Sequence, residues 1–157
     1  MNHGVFKKEI IMNKVNVQKA IDIMKRAGKI DMRVWQEKNL DGKYVKTEEE
    51  LNSCGTAACF AGWISVSEEW KSDGGFTGKQ GAPCIITEND GEIHNSMAIA
   101  YWLDITLDNS NKLLYGLKNF YKMPIECVRK EDIIDRLEKM LKEDTYHNEY
   151  EYGGKSE

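Results

Sequence analysis

No stretch of this 157-residue chain is apolar for long enough to cross a bilayer: the longest run, residues 57–63, falls far short of the about 20 residues a span requires. Its start also lacks the uninterrupted apolar core and small-residue cleavage site of a secretory signal, so a cytoplasmic location is expected. Clustered positive charge is missing as well. The 22 Lys and Arg residues are scattered along the chain, which speaks against a nucleic-acid-binding face. A net charge of −4 is too mild for the dense acidic surface of a DNA mimic. No internal repeat is visible, and expected partners exclude nucleic acid and membrane.

What is present suits one globular domain. A chain of this length buries about 70% of its unfolded surface, enough for a real core. With 41% hydrophobic and 31% charged residues the composition is that of a folded chain rather than a disordered one. Cysteines stand at positions 54, 59, 84 and 127. In a reducing cytosol they are expected as free thiols.

The organising stretch is Ser53-Cys54-Gly55-Thr56-Ala57-Ala58-Cys59-Phe60-Ala61-Gly62-Trp63. Gly55 suits a sharp turn and Thr56 can cap free amides, so a helix is predicted to begin near Thr56. Cys59, Trp63, Val66 and Trp70 then recur at helical steps and form a core face. Ala58, Gly62 and Ser65 make a ridge of small side chains against which a neighbouring helix can pack closely. Ser67, followed by Glu68 and Glu69, has the pattern of a fresh cap, so the helix ends or bends there.

The motif Cys54-Gly55-Thr56-x-x-Cys59-x-Ala61-Gly62-Trp63 resembles that of a family of small, mostly uncharacterised proteins encoded by bacteriophages and bacteria. The likeness extends to Met32-Arg33-Val34-Trp35 and to Ala98-Ile99-Ala100-Tyr101-Trp102-Leu103-Asp104-Ile105-Thr106, and spans residues 15 to 118. It implies a phage accessory protein, and a host-cell cytoplasmic location with it, but brings no established activity.

Along the chain, residues 1–14 are expected to be a mobile extension. Val17, Ala20, Ile21, Met24 and Ala27 mark a helix capped by Asn16 and stopped by Gly28. Asp31 is expected to cap a short helix carrying Met32 and Trp35 toward the core, and residues 40–43 to turn. Thr47 and Glu50 have capping-box spacing. Residues 71–81 are glycine-rich and expected to be a flexible loop. Residues 84–87 and 92–93, around Asn89-Asp90-Gly91, fit a small hairpin. Asn95 is expected to cap a buried helix to Leu103. Thr106 should cap the next helix, ending at Gly116, and residues 120–124 should link to a last helix over 130–142. An acidic tail, 144–157, is expected to fray.

Candidate chemistry is sparse. Cys54, if beside a helix N-terminus, is a candidate nucleophile, with His94 and Asp90 or Glu92 as base and orienter. Cys54, Cys59, Cys84 and His94 are four candidate zinc ligands, but Cys59 belongs to the apolar stripe and packing thiols are the simpler account. No metal or other cofactor is expected. Gly74 to Gly81 fails the Walker spacing, because Asp73 replaces its first glycine and Gln80 its serine or threonine. A mobile loop with Lys79 and Phe76 remains able to close over a small anion.

The resulting expectation is a mainly α, single compact domain (15–143) of five to seven helices, with a glycine-rich loop and room for one β-hairpin. Function is expected to be non-enzymatic binding. A phage accessory or anti-defence protein would sequester a small anionic, nucleotide-like ligand, or block a host protein directly, with Arg33, Thr56, Trp70, Phe76 and Lys79 as ligand-binding residues. The alternatives are a thiol-dependent enzyme using Cys54 with His94 and a zinc-stabilised interaction module. Homo-oligomers are compatible with all three.

Overall fold

The computed structural model of the protein describes residues 12–142. The acidic tail and the first eleven residues of the expected extension lie outside the described residues. Met12 is buried, and Asn13 already belongs to the fold: its amide donates to the Leu103 carbonyl at 2.7 Å and its side chain caps the first helix.

Seven α-helices and a three-stranded antiparallel sheet make up the described residues. In chain order they are α1 (Lys14–Arg26), α2 (Glu48–Cys54), α3 (Phe60–Ser65), α4 (Glu68–Ser72), β1 (Gly75–Thr77), β2 (Pro83–Thr87), β3 (Gly91–His94), α5 (Asn95–Leu103), α6 (Leu107–Tyr115) and α7 (Lys130–Lys142). The mainly helical expectation holds, but the sheet is larger than a hairpin. Residues 75–77 of the expected flexible loop pair with β2, Phe76 opposite Cys84, and Lys79–Gly81 form a 3-10 turn.

Local signals explain most helix ends. Thr47 Oγ1 accepts from the Glu50 amide at 3.1 Å and donates to the Glu50 carboxylate at 3.0 Å. Ser67 caps α4 through the Trp70 amide, Thr106 caps α6 through the Asn109 amide, and Gly116 ends α6 at φ +68°. Asn13, not Asn16, caps α1. Asn16 lies inside that helix and donates to the Trp102 carbonyl at 2.8 Å. Asn95 caps nothing: it opens α5 with a left-handed φ of +58°, and Met97 and Tyr101 of that helix are exposed.

The central stretch departs most from expectation. Residues 56–59 are not helical; α3 begins at Phe60, and Cys59 is its cap, with Sγ accepting from the Gly62 amide at 3.4 Å. The competing interactions are backbone pairings with residues 29–37. Asp31 donates to the Ala58 carbonyl, Ala58 to Lys29, Glu37 to Ala57, and Cys59 to Val34 and Trp35. Residues 31–35 form turns instead of a short helix, although the Asp31 side chain does accept from the Arg33 amide at 3.0 Å as a cap would. The small-residue ridge accordingly receives this segment's backbone instead of a helix. A Cβ added at Gly62 would collide with the Trp35 carbonyl oxygen.

Around this knot Phe60, Trp63 and Trp70 are fully buried, α1 packs on α7, and α3 and α5 cover one face of the sheet. That face carries Ile85, Thr77 and Thr87, all buried. The opposite face carries the candidate site.

Candidate functional site

Alternation along a strand sends Phe76, Cys84 and His94 to one face, because the register sets Phe76 opposite Cys84 and Cys84 opposite His94. Glu92 follows two residues before His94 on that face, its carboxylate 3.1 Å from His94 Nε2. Over this row runs the turn from Gly78 to Ala82. It is pinned by the Gly78 amide on the Ala82 carbonyl (2.7 Å) and by Ser65 Oγ on the Gly81 carbonyl (3.0 Å). A Cβ at Gly78 would strike Cys84 Sγ and one at Gly81 would strike Gln36. The glycines are therefore needed for close approach, and the loop expected to be mobile is wedged in place.

Between turn, sheet and Trp35 lies a cleft of about 460 Å³, lined also by Phe76, Lys79, Gln80, Glu92 and His94. A second cleft of about 510 Å³ shares Trp35 and Gln80 with the first and adds Arg33, Tyr44, Cys59 and Tyr115. Both volumes fall in the range of about 300–1,000 Å³ usual for small-molecule sites. Trp35, expected in the core, is a half-buried wall between them, its ring edge-on to Tyr115 at 6.1 Å.

The predicted residues divide among several places. Phe76 and Lys79 meet in the first cleft, where Lys79 has no ion-pair partner among the described residues. Arg33 lines the second, with Nε and Nη2 bonded to the Asp31 carboxylate at 2.9 and 3.0 Å. Trp70 is not available to a ligand. Its indole is fully buried under the sheet, donating to the Phe76 carbonyl at 3.2 Å and set edge-on to Trp102. Thr56 lines neither cleft, and its hydroxyl lies 3.0 Å from Cys54 Sγ.

Cys54 occupies the last turn of α2, beside the Leu51 carbonyl, rather than the free amides of a helix start. Cys54 does not line the cleft that His94 borders. Cys59 is buried, which pushes its thiol up to about 11 against the pull of the Gly62 amide. Burial also raises the Cys84 thiol, and the charge of Glu92 adds to the effect. Neither is poised as a thiolate. The four candidate zinc ligands are spread over three places, and no group of three or more His, Cys, Asp or Glu side chains able to hold a metal occurs among the described residues.

Comparison of the chain with family models, curated proteins and solved structures finds no match. The site is therefore read from its own chemistry. Two aromatic rings, the Lys79 ammonium, a carboxamide and the His94–Glu92 pair face this concavity, so a planar molecule has rings to stack on and its anionic group a place at Lys79, the Glu92 carboxylate being engaged by His94. Sequence reasoning paired Glu92 with His94, which the structure sets 3.1 Å apart, but missed Gln80, Tyr44 and Tyr115 as lining residues. Only Gln80, between two glycines of the 78–81 turn, carried any local signal.

Proposed function

We propose that this protein is a non-enzymatic binding module whose cleft over the sheet holds a small anionic, nucleotide-like ligand. The observation that carries this reading is the Lys79 ammonium, without an ion-pair partner among the described residues, at a cleft bordered by Trp35 and Phe76. An aromatic border takes the base by stacking, and the ammonium takes the phosphate. With the phage-family motif, the reading becomes an accessory protein that removes a nucleotide signal from host defence by sequestration.

Native mass spectrometry of freshly purified protein, followed by calorimetry with AMP and GMP, tests it. A nucleotide-sized added mass or a one-to-one binding isotherm is expected, weakened about tenfold by Lys79→Ala and by Phe76→Ala, a loss on the scale of one ion contact or one stacked base. A bare mass together with no heat from either nucleotide would sink the reading.

A second reading, direct blocking of a host protein, is favoured by Met97 and Tyr101, two exposed side chains one turn apart on α5. Met97→Lys with Tyr101→Lys would then abolish co-purification of a host protein and leave nucleotide binding unchanged.

A further inference from the structure

Two clefts with one wall in common invite a ligand that uses both. Trp35 and Gln80 belong to each, and the volumes, about 460 and 510 Å³, are nearly equal. Each cleft has an aromatic side chain of its own, Phe76 in one and Tyr44 with Tyr115 in the other. Each also has a cation close to the wall: Lys79 precedes Gln80 directly, and Arg33 lies two residues before Trp35. Asp31 engages Arg33 through Nε and Nη2, and a guanidinium has five N–H donors, so others remain for a second acceptor.

Gln80 itself is held in an unfavourable backbone state. Its φ of +58° and ψ of +21° are left-handed, a region that favours glycine, yet its side chain is exposed. Backbone strain of this kind gathers where a side chain must be presented to something. Gly78 and Gly81, close against Cys84 and Gln36, fix the turn that carries Gln80, and Gln80 lines both clefts.

Resting on the binding function proposed above, we infer that the two clefts take one ligand made of two nucleoside units joined by a phosphodiester. One base stacks beside Phe76 and the other beside Tyr115. The link crosses the ridge with Lys79 on one side and Arg33 on the other, and the Gln80 carboxamide donates to it. No bond is made or broken. Joining the units turns the second contact into an intramolecular one, so affinity exceeds that of either half.

Calorimetry on the full chain with the dinucleoside monophosphates ApA and GpG, against AMP and GMP, tests this inference, with variant folding checked by thermal melts. At least one dinucleotide is expected to bind one-to-one and about tenfold or more tighter than its mononucleotide. Phe76→Ala and Tyr115→Ala should each weaken the dinucleotide by about tenfold. Of these two variants, only Phe76→Ala should weaken mononucleotide binding. Gln80→Gly should weaken the dinucleotide while leaving the melting temperature unchanged or raised, which a merely structural Gln80 would not do. If mononucleotides bind and the dinucleotides bind no better, or if Tyr115→Ala has no effect on them, the bridging ligand is wrong and the single-cleft function survives. If neither class binds, both fall.

Discussion

Gly62 shows how far a single side chain is constrained here. It sits inside α3, where glycine costs about 1 kcal/mol relative to alanine, because the Trp35 carbonyl occupies the space of a Cβ. Gly62→Ala should therefore destabilise by about 1–3 kcal/mol, the range of overpacked cores, read as a lower urea midpoint; a neutral or stabilising result would mean that the 29–37 segment yields easily. Gln80 makes the opposite case. Gly in its place relieves a left-handed backbone, so Gln80→Gly is expected to be stabilising by up to about 1 kcal/mol despite glycine's larger unfolded-state entropy. Cys59 and Trp70 illustrate residues whose spacing pointed to the core but whose roles it did not give: Cys59 lies before α3 and caps it with its sulfur, and Trp70, also named as a ligand-binding residue, is buried with its indole holding β1.

At the scale of elements, the chain is tied together by caps and by one three-helix clamp. Arg26, ending α1, binds Glu48 at the start of α2 and Glu69 in α4, each through two nitrogen-to-oxygen contacts. Those bonds hold the Glu69 carboxyl below its ordinary value of 4.5, and Arg33 likewise holds Asp31 below 3.8. On acidification the unfolded chain takes up these protons first. The stabilisation is thus complete well above pH 4.5 and disappears as pH falls through the depressed native values. Because Arg26 is exposed and the two carboxylates are half-buried at the surface, solvent screens the clamp and its contribution is about 1 kcal/mol. Urea melts of Glu69→Gln should show a shallower loss of stability between pH 6 and pH 3 than the parent (a window set about the ordinary carboxylate range); identical slopes would remove the clamp from the account. Thr47→Ala should cost about 1 kcal/mol through loss of the capping box.

For the whole molecule, the sheet is the piece that joins the helical core to the clefts. Ser65 of α3 receives the Thr77 hydroxyl on its carbonyl and gives its own hydroxyl to Gly81, so the core and the turn over the site are one unit. Alkaline behaviour reports on that unit. Cys59 has a native value of about 11 against an ordinary 9.0, so the unfolded chain ionises first and stability should be full below pH 9 and fall as pH rises toward 11. Cys59→Ser would lessen the fall. Alkylation at neutral pH should label exposed Cys127 quickly and Cys59 only on unfolding; early labelling of Cys59 would show that the knot opens locally.

The sequence by itself determined what depends on neighbours within one or two turns. Helical periodicity marked α1 and α7, Thr47, Ser67 and Thr106 marked starts, Gly116 marked a stop, and the turn at residues 89–91 marked the β2–β3 pair. Only the tertiary structure decided what rests on contacts between distant segments. Residues 29–37 bond to 57–59 and hold off the helix that Thr56 was expected to begin, since an ordered partner satisfies those amides as well as a helix would. β1 exists because β2 offers its edge, which no local signal in a glycine-rich run can announce. The clefts follow from the same cause: Trp35, Phe76, Gln80 and Tyr115 are scattered in sequence, and only long-range pairing sets them around common space.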